Sequence, residues 1–205
     1  MSFPQSASTE GVGATELRTA MSHFATGVAV LTAVDAQGAP FGTTANAVSS
    51  VSLDPPLVLA CLREESETLA ALLDHGGLCV NVLREDQREV AERFAGPAAP
   101  ETWTGVAHRR SPTVGVPVLD GSLATLECVL HEVADGGDHR IVIGRVIAVD
   151  HSVEPGAPLV FFQGSFGMPS VEQALPAPAV EEEPDVEEEP AVEVALARWS
   201  SDGCD

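Results

Sequence analysis

The sequence predicts a mainly β fold of the α+β class: an antiparallel sheet closed wholly or partly into a barrel, with a few short helices packed on it. Three observations carry this. Apolar and β-branched segments outnumber helical periodicities, short turn sequences such as 35–38 and 135–138 join them, and no glycine-rich strand-to-helix fingerprint of a doubly wound sheet is present.

The elements follow in order. From Thr15 the apolar positions Leu17, Ala20, Met21 and Phe24 fall at i, i+3, i+4 and i+7, one helix face, and Gly27 is a stop, so a helix of about three turns is expected. Residues 28–34 are β-rich, 35–38 form a turn, and the extended run from Pro40 to Val48 completes a hairpin. The Asp54-Pro55-Pro56 break ends that unit, and 57–62 is a short apolar strand expected to be buried on both faces. Ser66 caps a helix carrying Leu69, Leu72 and Leu73, Gly76-Gly77 ends it, and 78–83 is a strand. Asp86 with Glu89 is an N-cap signature for a helix whose apolar face is Val90, Ala91 and Phe94, stopped by Gly96-Pro97. Two long strands, 123–134 and 140–149, flank the 135–138 turn. In the second, Ile141, Ile143, Ile147 and Val149 share a face that Arg145 interrupts, and a last strand, 159–162, ends at Gly164.

Residues 1–13 are expected to be a disordered leader, 14–170 the folded domain and 171–205 an acidic Pro/Glu-rich disordered tail. All 10 basic residues are arginine, against 31 acidic residues and a net charge of −21, which disfavours nucleic acid and anionic membranes as partners. Eleven of the acids fall in 171–205, outside the expected domain. Tyrosine is absent and aromatics are 4%, too few for a base-stacking platform. No apolar run is long enough to span a membrane and the N-terminus lacks a basic region, so a soluble cytoplasmic protein is expected. Cys61, Cys79, Cys128 and Cys204 have neither zinc nor disulfide spacing, and the first three are read as buried reduced thiols.

Signatures of serine hydrolases, P-loop NTPases and zincins are missing. The richest segment is Gly42-Thr43-Thr44-Ala45-Asn46-Ala47-Val48-Ser49-Ser50-Val51-Ser52, where short side chains let a ligand reach backbone N–H groups. A second cluster, Arg63-Glu64-Glu65-Ser66-Glu67-Thr68, is either an ordinary N-cap or an anion site built from a helix start beside a cation. His139 follows a Gly-Gly-Asp turn at the start of a strand; the other five histidines are read as structural or surface residues.

Seven segments in order, namely 24–33, 42–62, 66–83, 93–96, 115–128, 136–146 and 158–167, resemble the flavin reductase domain family, the FMN-binding split barrels that serve as reductase components of two-component monooxygenases. The resemblance implies an antiparallel split β-barrel with short packed helices. It implies that Thr43, Thr44, Ala45, Asn46, Ser49, Ser50, Val51 and Ser52 line the isoalloxazine and ribityl chain. Cys61, Leu62, Arg63, Ser66 and Thr68 would hold the flavin phosphate, His139 would meet the nicotinamide dinucleotide, and Phe94 and Phe166 would pack nearby. Glu64 and Glu65 directly follow Arg63, which would then have to offset both, and Phe166 stands where many relatives have tyrosine.

The implied activity is reduction of FMN or FAD by NADH or NADPH through direct hydride transfer, which needs no acid–base constellation. Reduced flavin would pass to a separate monooxygenase, and a homodimer is the implied state. A flavoprotein that retains its flavin and a flavin-binding module without turnover are the alternatives.

Overall fold

The computed structural model describes residues 11–97, 99–152 and 156–169. The chain divides into the units Met1–Ser170 and Val171–Asp205. The second unit, which the expected acidic tail occupies, and most of the expected leader lie outside the described residues.

The elements run α1 Ala14–Met21, β1 Thr26–Gly27, β2 Ala29–Val34, β3 Pro40–Ala45, β4 Val48–Leu53, β5 Pro56–Arg63 and α2 Glu67–His75. They continue β6 Gly77–Val82, α3 Arg88–Phe94, β7 His108–Arg110, β8 Pro117–Leu119, β9 Ala124–Asp135, β10 His139–His151, β11 Val160–Phe162 and β12 Ser165–Gly167. A seven-stranded sheet has the order β3-β2-β6-β9-β10-β5-β4, with every pair antiparallel. Its edge strands β3 and β4 are separated in the chain only by Asn46 and Ala47, so the sheet must curl until its edges approach. The Cys61 N–H donates to the Ala47 carbonyl at 3.0 Å, which carries the β4–β5 ladder one residue into that link. Smaller sheets, β1-β11-β12 and β7-β8, flank it.

β2 is buried along its whole length and feeds two cores. Leu31 and Ala33 join Ala60, Leu62, Leu69, Leu72, Leu78 and Val142 under α2, while Val28 and Val30 join Leu83, Ala91, Phe94 and Leu159. The hairpin expected at 35–38 is present: the Asp35 carboxylate accepts from the N–H groups of Gln37 and Ala39. α2 starts and stops as expected, with Ser66 Oγ accepting from the Leu69 N–H and Gly76 in the left-handed region at φ 79°.

Several expectations need correction. α1 is two turns, not three, and has no buried residue: Ser22 Oγ and the His23 ring both bond the Thr19 carbonyl and the chain tightens, leaving Phe24 66% exposed beyond the helix. β5 is buried on one face only, through Ala60 and Leu62, while Leu57, Leu59 and Cys61 are half-buried on the other. Asp86 does not cap α3; its carboxylate pairs with Arg84 at 2.7 Å, and a 3₁₀ turn over Glu85–Gln87 leads into the helix. In β10 the inward residues are Val142 and Gly144, where a Cβ would come within 2.9 Å of the Cys128 Cβ. Register shifts after Ile143 and Val146 then break the single face expected of Ile141, Ile143, Ile147 and Val149. The β7-β8 hairpin is unanticipated. It is held by buried polar bonds: Thr32 Oγ1 donates to the Pro117 carbonyl, and the Leu119 N–H donates to Asn81 Oδ1.

Candidate functional site

Where the curled edges meet, β3 and the two residues after it, the end of β5 and the start of α2 enclose a cleft of about 920 Å³. One wall is Gly42–Ala47. β3 is an edge strand, so alternate N–H and C=O groups have no sheet partner there. Gly42 is needed in this wall, because a Cβ at that position would lie 2.6 Å from Phe94 Cε1 and 2.8 Å from Cδ1. Phe94 is itself buried and meets Trp103 edge-on, ring centroids 4.9 Å apart. Thr44 Oγ1 donates to the Ala91 carbonyl at 2.6 Å, tying β3 to α3, whereas the Thr43 hydroxyl makes no hydrogen bond among the described residues.

Cys61, Leu62 and Arg63 from β5 line the opposite side, followed by Glu65, Ser66, Glu67 and Thr68. The Arg63 carbonyl accepts from the Ser66 N–H at 3.0 Å, and its guanidinium makes no hydrogen bond or salt bridge with a described residue. Arg63 pairs in the β-ladder with His139, which also lines the cleft. His139 Nδ1 lies 2.7 Å from Asp138 Oδ1. A carboxylate only accepts, so Nδ1 carries the proton of this bond and Nε2 is left for other partners. The His139 hydrogen bond, helped by its charge when protonated and by Arg63, holds the Asp138 carboxyl below the usual carboxylate range. Glu64 is turned away from the cleft: it accepts from Arg140 Nη2 at 2.5 Å, so it is not left for Arg63 to offset. Phe161 and Phe166, tilted against each other at 5.3 Å, supply an aromatic wall.

The structure therefore brings Thr43, Thr44, Ala45, Asn46, Cys61, Leu62, Arg63, Ser66, Thr68, His139 and Phe166 to one cleft. Ser49, Ser50, Val51 and Ser52 lie on β4, outside its lining, and Phe94 supports the Gly42 wall from behind. Cys61 is half-buried in the cleft, not sequestered like Cys79 and Cys128. Sequence reasoning does not single out Ala95–Pro97 or Phe161 as lining. Gly96-Pro97 is legible only as a helix stop, and Phe161 arrives by pairing β11 with β1. Among the described residues no His/Cys/Asp/Glu cluster suits a metal ion. One cation, a helix N-terminus, small residues and an aromatic wall make this a place to hold planar molecules with anionic tails.

The flavin reductase like domain matches residues 21–169. The reductase subunit HsaB of a flavin-dependent monooxygenase from Rhodococcus jostii is 37% identical over 169 residues, 82% of this chain and 85% of that one. Component B of nitrilotriacetate monooxygenase from Mycobacterium thermoresistibile superposes with a TM-score of 0.73 at 36% identity, over 81% of this chain and 92% of that one. The NADH:FAD oxidoreductase SgcE6 of Streptomyces globisporus, solved with NAD and FAD fragments, gives a TM-score of 0.70 at 32% identity, over 80% and 94% of the two chains.

Proposed function

Since the chain belongs to the flavin reductase like domain family, we propose that it is an NAD(P)H-dependent flavin reductase that reduces FMN or FAD and supplies the reduced flavin to a separate monooxygenase. The observation that carries this reading is the cleft itself. At about 920 Å³ it has room for two stacked ring systems, by the ~300–1,000 Å³ usual for ligand sites. It offers short side chains on one wall and an arginine, Arg63, at one end. When bound together, nicotinamide and flavin supply the bond-making themselves, by hydride transfer from C4 to N5.

What remains for the protein is to bind, orient and exclude. The open backbone groups of β3 can donate to a flavin edge and oppose negative charge developing there. Arg63, the Ser66 hydroxyl and the first N–H groups of α2 form the anion end. His139, fixed by Asp138, approaches the nicotinamide dinucleotide. NADH is the preferred donor on this reading, because among the described residues Arg63 is the only arginine lining the cleft and the extra phosphate of NADPH finds no second one there. The Streptomyces globisporus relative is an NADH:FAD oxidoreductase, which supports the same choice.

A homodimer is the proposed state, supported by apolar side chains left in solvent along β4 and β10: Leu53 is 92% exposed, Val51 47%, Ile147 41% and Val149 61%. No helix among the described residues is long and apolar enough to cross a membrane. The free thiols Cys61, Cys79 and Cys128 suit a reducing cytoplasm.

Steady-state oxidation of NADH and NADPH with FMN, FAD or riboflavin tests the reading. If no flavin accelerates loss of nicotinamide absorbance, the reductase assignment fails; gel filtration separates flavin release from flavin retention. Arg63→Ala should weaken FMN by about 10-fold or more, the worth of one charged hydrogen bond. Riboflavin, which lacks the phosphate, should bind much as before.

A further inference from the structure

Three glutamates crowd the anion end: Glu64, Glu65 and Glu67 follow Arg63 within four residues, in a site whose ligands are themselves anionic. Glu65 and Glu67 line the cleft, but Glu64 does not. Both its backbone and its side chain are taken by the β9–β10 hairpin. The Glu64 N–H donates to the Asp138 carbonyl at 3.2 Å, and its Oε1 accepts from Arg140 Nη2 at 2.5 Å. The ladder register brings this about, since Arg140 sits opposite Leu62 and next to the Arg63–His139 pair.

We propose that Arg140, which lies outside the cleft, sets the selectivity for anionic flavins by withdrawing and neutralising the Glu64 carboxylate. With the pair intact, one arginine faces two carboxylates at the cleft lining; with Arg140 removed, a third uncompensated carboxylate stands beside Arg63. Both partners are partly exposed, 37% and 53%, so the pair contributes little to folding and its effect on ligands is separable. The other charges near it are Asp135, which also acts on Arg140, and Asp138, which acts on Arg63; neither touches Glu64 through its side chain.

The inference rests on the flavin reading of the cleft, and the test keeps the two apart. Dissociation constants for FMN and riboflavin are read by flavin fluorescence in the full-length protein, without nicotinamide, at about 20 mM and about 500 mM salt, where the screening length falls from roughly 20 Å to roughly 4 Å. Arg140→Met should raise the FMN constant about 3- to 10-fold at low salt, the effect of one charge on a phosphate dianion at roughly 8–10 Å through a water-like dielectric, and leave riboflavin within about 2-fold. Adding Glu64→Gln to Arg140→Met should restore the FMN constant, Arg140→Lys should preserve it, and high salt should erase the difference. Parallel losses for both flavins, no rescue in the double variant, a loss that survives high salt, or an unmoved FMN-to-riboflavin ratio would each overturn the assignment. If the unmodified protein binds neither flavin, it is the reading of the cleft that fails.

Discussion

The wall of the cleft makes a sharp prediction at Gly42. A methyl group there would sit 2.6 Å and 2.8 Å from two carbons of the Phe94 ring, against about 3.5–4.0 Å for an ordinary carbon contact, so roughly 1 Å of overlap must be relieved. Phe94 is 1% exposed and edge-on to Trp103, which rests in turn against His108 at 5.0 Å. The ring cannot retreat without moving that row, so Gly42→Ala should cost about 1–3 kcal/mol, the usual penalty for overfilling a packed core. For a domain of this size Tm should fall by about 2–4 °C per kcal/mol. If β3 gives way instead of the ring, it moves into the cleft, and flavin affinity falls with stability. Urea denaturation of the flavin-free protein, paired with a flavin titration, reads both. Phe94→Leu makes room for the methyl, so the pair should show a favourable coupling of about 1 kcal/mol or more in a double-mutant cycle. A Gly42→Ala protein within about 0.5 kcal/mol of the parent, or strictly additive single changes, would refute the close approach.

In a Cys204→Ser background one thiol, Cys61, should react quickly with a soluble disulfide reagent and be slowed by saturating FMN. Burial pushes the Cys79 thiol far up and Cys128 up to about 12, so these two should stay silent at pH 8 until the chain unfolds; two fast thiols would contradict the burial. His139→Ala should raise the KM for NADH about 10-fold, roughly one hydrogen bond, and that for flavin far less; Asp138→Asn should do the same more weakly, and equal effects on both substrates would remove the nicotinamide role. Because the Asp138 carboxyl is held below its ordinary value, its contribution is present above about pH 4 and is lost as the pH falls through the depressed value. The stability difference between Asp138→Asn and the parent should thus shrink as the pH falls below about 4. A chain ending at Pro169 removes the eleven acids of 171–205 and should keep its turnover, measured as flavin-dependent NADH oxidation; an inactive truncation would give that segment a role in the reaction.

What could be read ahead of the structure was local. Asp35 closing a turn, Ser66 capping α2 and Gly76 ending it depend on neighbours within a few residues, so composition and spacing carry them. The inner face of β10 does not: alternation shows that Ile141 and Ile143 share a side, but only the close approach to Cys128 at Gly144 decides that the other side points inward. The same holds for Asp86, whose spacing to Glu89 suits a cap until Arg84 takes its carboxylate. Within the cleft lining, 43–46 stands out in the sequence as a run of small residues and Arg63 as a cation before a helix start, whereas Cys61 and Leu62 are reached only through the family resemblance. The neutralisation of Glu64 was not legible, because its partner lies 76 residues away. The polar network under β8 was equally hidden, since Asn81 sits in an apolar strand and its bonds reach Val30 and Leu119.

The division of labour in the cleft explains why its shape should matter more than any single polar group. If the ring systems carry the chemistry, the protein's contribution is to hold them at about 3–3.5 Å with their reacting atoms aligned. A lost hydrogen bond then costs about 0.5–1.5 kcal/mol of binding, while a displaced wall misaligns both rings at once. That places the sensitivity of this site on Gly42, Phe94 and the Thr44–Ala91 tie, none of which would be named by a search for acids, bases or nucleophiles. It also gives the charges a different job. With a net charge of −21, long-range attraction cannot gather anionic flavin or nicotinamide, so discrimination must come from charges close to the ligand tails, which is the role proposed for Arg63 and, through Glu64, for Arg140.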